Sequence, residues 1–159
     1  MVATSRPSSR RATRVPSPIL PTNVPSPSEA FGSSLVEILD RIDEPVSIAS
    51  AVRDRDGRLL DFRLEFVNDA AAAWAGVERS AMIGLITGEL LPEFRSSGYF
   101  DTLREVVETG RPYHQEGAFV DDTVIGGACV GGIYDMRAIR LGDGYLSTWR
   151  RRPVTPEPA

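Results

Sequence analysis

Along the chain the apolar residues switch between a helical period of about 3.6 and a strand period of 2. Leu35, Ile38, Leu39 and Ile42 recur at i, i+3, i+4 and i+7 and predict one apolar stripe on a short amphipathic helix. Order is expected to begin near Phe31. Ser33 or Ser34 would cap this helix, with Glu37 in capping-box spacing from Ser34, and Pro45 would end it. Val46, Ile48 and Val52 then fall at even spacing, and Arg55-Asp56-Gly57-Arg58 supplies a tight turn. Beyond it Leu60, Phe62, Leu64 and Phe66 alternate with Asp61, Arg63 and Glu65. This predicts an antiparallel hairpin with those four apolar side chains on one face.

After the hairpin the helical period returns. "NDAAAAWAG" places Asn68 or Asp69 as N-cap of an Ala-rich turn or two of helix, closed by Gly76. "ERSAMIG" is one more turn ending in Gly84, and "GELLPEF" gives an irregular bend. The strongest helix is "GYFDTLREVVETG", with Phe100, Leu103, Val106 and Val107 on one stripe and Gly110 and Pro112 as its stop. Three strands follow, "YHQEGAFVDD", "GGIYDMRAIRL" and, after Gly142-Asp143-Gly144, "YLSTWRRR". The class is α+β.

A chain of 159 residues that is 42% hydrophobic supports one domain with a real core. Composition divides it into a Ser/Pro/Arg-rich disordered tail over residues 1–30, a folded domain over 31–152 and a disordered tail over 153–159. Prolines at 7, 16, 18, 21, 25 and 27 break the amphipathic helix that an organelle transit peptide needs. Arg10-Arg11-Ala12-Thr13 offers a basophilic kinase a short match at Thr13.

The net charge of −4 is unevenly spread. Arg6, Arg10, Arg11 and Arg14 outweigh Glu29 at one end, Arg150, Arg151 and Arg152 outweigh Glu157 at the other, and the body between is acidic. Such a body opposes nucleic-acid binding, which needs clustered positive charge on the folded surface, and leaves only the tails for it. All 18 basic residues are Arg, which reads as codon bias. Cys129 is the only cysteine, so neither an internal disulfide nor a cysteine-built metal site can form. No apolar run approaches the roughly 18 residues of a membrane span. A cytoplasmic setting is expected.

"FVNDAAAAWAG", "SAMIG", "ELLPEF", "FDTLREVVETGRPY" and "YDMRAIRLGDGYLSTWR", in this order and spacing, resemble the successive landmarks of a PAS domain of the type found in bacterial signalling proteins. The resemblance covers about residues 35–150. It implies a five-stranded antiparallel sheet of spatial order 2-1-5-4-3, short helices across one face, and an N-terminal amphipathic helix covering the other. It also implies that the Leu35, Ile38, Leu39 and Ile42 stripe serves the outer sheet face and a homodimer or partner contact. Between sheet and helices such domains hold a small ligand or a filled core. Phe66, Asn68, Trp74, Phe94, Phe100, Tyr134 and Met136 are the candidate lining, and Asn68 also has the structural role of capping the helix that follows it.

Cofactors implied by the family find little support residue by residue. A flavin adduct needs a Cys in the segment Asp69–Gly76, which has none. Haem-binding relatives use a His in or beside the long helix, and the one His here, His114, follows that helix at the start of a strand. The cofactor stays unassigned, with haem and flavin disfavoured. Catalysis lacks a nucleophile elbow and a phosphate loop, and "IGGACVGG" is not followed by a helix N-terminus, so no catalytic or metal-ligating residue is assigned. Asp135 and Arg137 share a strand face and are expected to pair.

Relatives leave the last strand through an Arg-Asp-x-Thr type junction into a coiled coil and an effector. Here Arg151 occupies the Asp position, and Arg152-Pro153 follow. The expected function is a stand-alone, non-enzymatic sensory or protein-interaction module. The alternatives are the sensor remnant of a diguanylate cyclase, histidine kinase or SpoIIE-type phosphatase, and, as a minor one, a small cavity enzyme.

Overall fold

The computed structural model describes residues 27–154, with side chains from Gly32 onward. The tail readings over 1–26 and 155–159, Thr13 included, lie outside the described residues. Helix α1 (Pro27–Asp40) leads into β1 (Val46–Arg53) and β2 (Leu59–Val67). Then come α2 (Asp69–Ala75), α3 (Arg79–Met82), α4 (Thr87–Leu90), a 3-10 turn (Pro92–Phe94) and α5 (Tyr99–Thr109). The chain closes with β3 (Tyr113–Val120), the short pair β4 (Val124–Ile125) and β5 (Ala128–Cys129), then β6 (Gly132–Arg140) and β7 (Gly144–Arg151). The five long strands form one antiparallel sheet, β2-β1-β7-β6-β3. Leaving aside the β4–β5 hairpin, which sequence periodicity did not separate from its neighbours, this is the expected 2-1-5-4-3 order.

The local signals explain most of this. Asp54 turns the first hairpin by accepting the N–H groups of Asp56 and Arg58, and Gly57 sits at φ 81°. Asn68 caps α2 through the Ala71 N–H, and Gly76 ends it in the left-handed conformation at φ 63°. On α5 the predicted stripe of Phe100, Leu103, Val106 and Val107 is buried throughout.

One part of the β2 pattern is overturned. Ile48 pairs with Phe66 but Ala49 with Leu64, so Glu65 is left over as a bulge and the alternation inverts across it. Phe62 and Leu64 point into the main core, whereas Phe66 faces the opposite side with Val46 and Leu39. A second shift, at Val52/Arg53, pairs Arg53 with Leu59; Leu59 is then buried and Leu60 is 45% exposed. The four apolar residues therefore do not share a face.

The helix α1 also differs from expectation. It begins at Pro27, inside the segment that composition gave to the tail, and it ends at Asp40 rather than at Pro45, so Ser33 and Ser34 lie within it and cannot be its cap. Only Leu39 of its stripe is buried, against Val46 and Phe66, while Leu35, Ile38 and Ile42 stay exposed. The outer sheet face is thus covered at one corner, and Ile133 and Ile139 remain about half exposed on it.

The main core lies between the other sheet face and the helices. Phe62, fully buried, meets the rings of Tyr145 at 4.9 Å, Phe100 at 5.7 Å and Phe94 at 6.5 Å, and Leu103, Val106 and Val107 of α5 close over them.

Candidate functional site

The same inner face is less completely filled on the side of β7, β6 and β3. Strand alternation brings Ser147 and Trp149 of β7, Tyr134 and Met136 of β6, and Gln115 and Ala118 of β3 to this side. Opposite them stand Trp74 of α2, Leu90 at the end of α4 and Leu91 after it, Phe94 of the 3-10 turn and Tyr99 at the start of α5. Together they enclose a cavity of about 390 Å³, within the range of small-molecule sites. Glu93, Phe119 and Asp121, all exposed, border it. Among the described residues lining it there is no Arg or His.

Hydroxyl and amide groups of Ser47, Thr87, Ser97, Thr102, Gln115, Thr123 and Ser147 lie among its apolar walls. The Trp74 Nε1–H donates to the Tyr134 hydroxyl at 2.9 Å, and that hydroxyl donates to the Val130 carbonyl at 2.6 Å, so both are satisfied. The Ser47 and Ser147 hydroxyls are bonded to each other at 2.9 Å on the sheet floor. Burial pushes the Tyr99 phenol well above its ordinary value, with Tyr145 and Tyr113 adding to the effect and Ser147 opposing it. Burial likewise raises Tyr145, against a hydrogen bond from Thr87, and Tyr113. These phenols stay neutral across the physiological range. The indole of Trp149 packs edge-on to Trp74 at 5.0 Å, and its Nε1–H is buried without a hydrogen-bond partner.

Of the expected lining residues, the structure brings Trp74, Phe94, Tyr134 and Met136 together around the cavity. It does not place Phe66 there, because the Glu65 bulge turns that side chain to the outer face, where the Arg79 guanidinium lies 4.9 Å from its ring centroid. Phe100 belongs to the packed core beside Phe62. Asn68 is fully buried and wholly structural. Its Oδ1 accepts from Val46 and Ala71 N–H, and its Nδ2 donates to the carbonyls of Leu39, Ile42 and Glu44. Ser47, Tyr99, Ser147 and Trp149 were missed. Tyr145, Ser147 and Trp149 alternate in "YLSTWRR" and share an inward face, a signal present in the sequence.

His114 pairs with Arg137 in the register that faces away from the cavity, half exposed and 3.8 Å from Glu116. Cys129 is exposed on β5. Among the described residues no cluster of metal-ligating side chains occurs, and no helix is long and apolar enough to cross a membrane.

Behind the cavity wall, on the outer face, Asp135 sits between Tyr134 and Met136. It accepts from the Gly117 N–H at 3.0 Å, from Arg152 at 2.7 Å and from Arg150 at 3.3 Å. The Gly117 N–H and the two arginines hold its carboxyl below the usual range, against partial desolvation. Its ion-pair partners are these two rather than the expected Arg137. Arg152 also reaches Glu116, and Arg151 donates to the Gly131 carbonyl, so the arginines that end the last strand fold back on the sheet.

A family model described as PAS fold matches residues 44–144. A domain of the sensory box sensor histidine kinase/response regulator from Geobacter sulfurreducens superposes with a TM-score of 0.51 at 22% identity, over 77% of this chain and 94% of that one. The PAS domain of nitrogen regulation protein NR(II) from Vibrio parahaemolyticus gives 0.49 at 14% identity, over 74% and 97%. An RNA-binding Light-Oxygen-Voltage receptor gives 0.51 at 17% identity, over 86% of this chain and 37% of the receptor. No curated protein matches the sequence.

Proposed function

Because the chain belongs to the PAS fold family, we propose that it is a non-catalytic sensory module of signal transduction, in which occupancy of the inner cavity alters a contact made with a second copy or a signalling partner. The observation that carries this reading is the cavity itself. It is bounded mainly by aromatic and aliphatic walls with Ser, Thr and Gln groups among them, and it shares the sheet with an outer face that exposes Ile133 and Ile139. Ligand and partner thus meet opposite faces of the same strands. The exposed Leu35, Ile38 and Ile42 of α1, with Ile133 and Ile139 on the outer face, supply the apolar contact area for a homodimer or partner protein in the cytoplasm.

A second reading has a specific support. The Geobacter structure is a domain of a histidine kinase/response regulator, and this chain covers nearly all of that domain. The module would then act as the sensor portion of a larger signalling protein, with the same cavity and the same outer face.

Native mass spectrometry of the purified chain tests the proposal, because it reports bound small molecule and subunit count together. Retained compound with a dimer mass, lost when Ile38→Asp is introduced, is the expected result. A chain that is monomeric at all concentrations and yields no small molecule on denaturation overturns it.

A further inference from the structure

Two tryptophans face the cavity and differ in one respect. The N–H of Trp74 has its partner in the Tyr134 hydroxyl, while that of Trp149 has none. A buried N–H left without a partner is destabilising, and natural interiors rarely leave one so. The Tyr134 oxygen is engaged by Trp74 and Val130, and the Ser47 and Ser147 hydroxyls hold each other. An indole N–H is a donor only, so the missing chemistry is an acceptor.

The walls limit what can bring that acceptor. No lining residue among those described is basic, and the ionisable groups at the border are Glu93 and Asp121, both acidic. An anionic ligand would lose its hydration without gaining a cation, and a cationic one would have to leave those carboxylates to enter apolar walls. Most of the remaining surface is Trp, Tyr, Phe, Met, Leu and Val, with Ser, Thr and Gln groups between them, suited to a flat or aliphatic skeleton that carries few polar atoms.

We infer that the cavity takes a small, neutral, largely apolar molecule carrying a hydrogen-bond acceptor, a carbonyl or ether oxygen, that the Trp149 N–H meets. This rests on the reading of the cavity as a ligand site. The nitrogen is covered, so binding requires the side chains over it to move aside, and the Trp74–Trp149 edge contact is the adjoining part of the wall.

Three probes of one skeleton test this on the full chain labelled with nitrogen-15: 2-acetylnaphthalene, which has the acceptor; 2-ethylnaphthalene, which lacks it; and 2-naphthoate, which is charged. The chain has only two tryptophans, so it gives two indole N–H signals, and the Trp149→Phe variant identifies one by deleting it. The ketone is expected to bind about tenfold more tightly than the hydrocarbon, as one regained hydrogen bond implies, and to move the Trp149 indole proton downfield. Naphthoate should not saturate. In Trp149→Phe the ketone should fall to the affinity of the hydrocarbon, whose own binding should persist and certify the fold. Equal binding of ketone and hydrocarbon to the wild type, or tighter binding of naphthoate, overturns the inference but leaves the cavity as a ligand site. The wild-type titration decides this even where the variant does not fold. Failure of all three probes to bind overturns both.

Discussion

The two ends of the inner sheet face are built from the same kinds of side chain and reach different outcomes. Around Phe62 of β2 and Tyr145 of β7, rings interlock at 4.9–6.5 Å and α5 closes over them. Around Trp149, toward the other end of β7 and β6, two indoles, Tyr134 and Met136 stand about a cavity of about 390 Å³. The difference lies in what covers them. The packed end is roofed by three turns of amphipathic helix with a regular stripe. The other end is roofed by short helical turns and the irregular stretch Leu91–Gly98, which present side chains without a repeating surface. The end that specifies the fold and the end suited to function are therefore separable by mutation.

The largest effect is expected at the packed end. Phe62→Ala removes a fully buried ring with three aromatic neighbours and should cost about 3–5 kcal/mol, read from the urea midpoint. Met136→Ala beside the cavity should cost less than half of that, because its side chain already borders open space on one side. Equal losses would erase the distinction between the ends.

The next effect belongs to the seam that joins β1 and α2 to the end of α1. Asn68→Asp places carboxylate oxygen where the amide donates to the carbonyls of Leu39, Ile42 and Glu44, and should destabilise by about 2–4 kcal/mol. Asn68→Asp should also loosen α1, seen as faster amide exchange at Ile42 and Val46 than in Phe62→Ala. A uniform loss across the chain would show that α1 is not held through this side chain.

A smaller pair separates the ends by adding volume. Ala75→Leu inserts bulk into the packed core and should cost about 1–3 kcal/mol, whereas Ala118→Leu points into the cavity and should change stability by less than about 1 kcal/mol. Ala118→Leu should in addition weaken binding of 2-acetylnaphthalene. Matching costs at the two alanines would mean that the cavity collapses or is already tight.

How much of this was readable in the sequence follows the same division. The α5 stripe was legible because burial on one face imposes a clean period, and β3, β6 and β7 were recognised as strands in order. So were the Asn68 cap and the glycine stops, which rest on local chemistry. Phe66 was misplaced because a bulge obeys pairing register between strands, which no single strand's alternation records. The stripe of α1 promised a covered sheet face and delivered one buried Leu39, since amphipathicity shows that a face wants cover without showing what covers it. Trp149 was overlooked for a related reason: a missing partner is a property of the packed molecule.

The smallest effect tests how the cavity end holds together where its core is thin. Asp135 stitches β6 to the β3 bulge through the Gly117 N–H and to β7 through Arg150 and Arg152, behind Tyr134 and Met136. Its folded pKa lies below that of the unfolded chain, about 3.9. The contribution is therefore complete above the unfolded value and is lost as pH falls through the folded one. The gap in urea midpoint between wild type and Asp135→Asn should be constant from about pH 7 to 5 and narrow progressively as pH falls below about 4. Asp143, held low by Arg53, titrates in the same range but is present in both proteins and cancels. The gap between wild type and Phe62→Ala, which involves no titrating group, should not narrow in this way. If instead the Asp135→Asn gap is flat to pH 2, the open end is held by its apolar walls alone, and the contrast between a packed end and one stitched by charge does not stand.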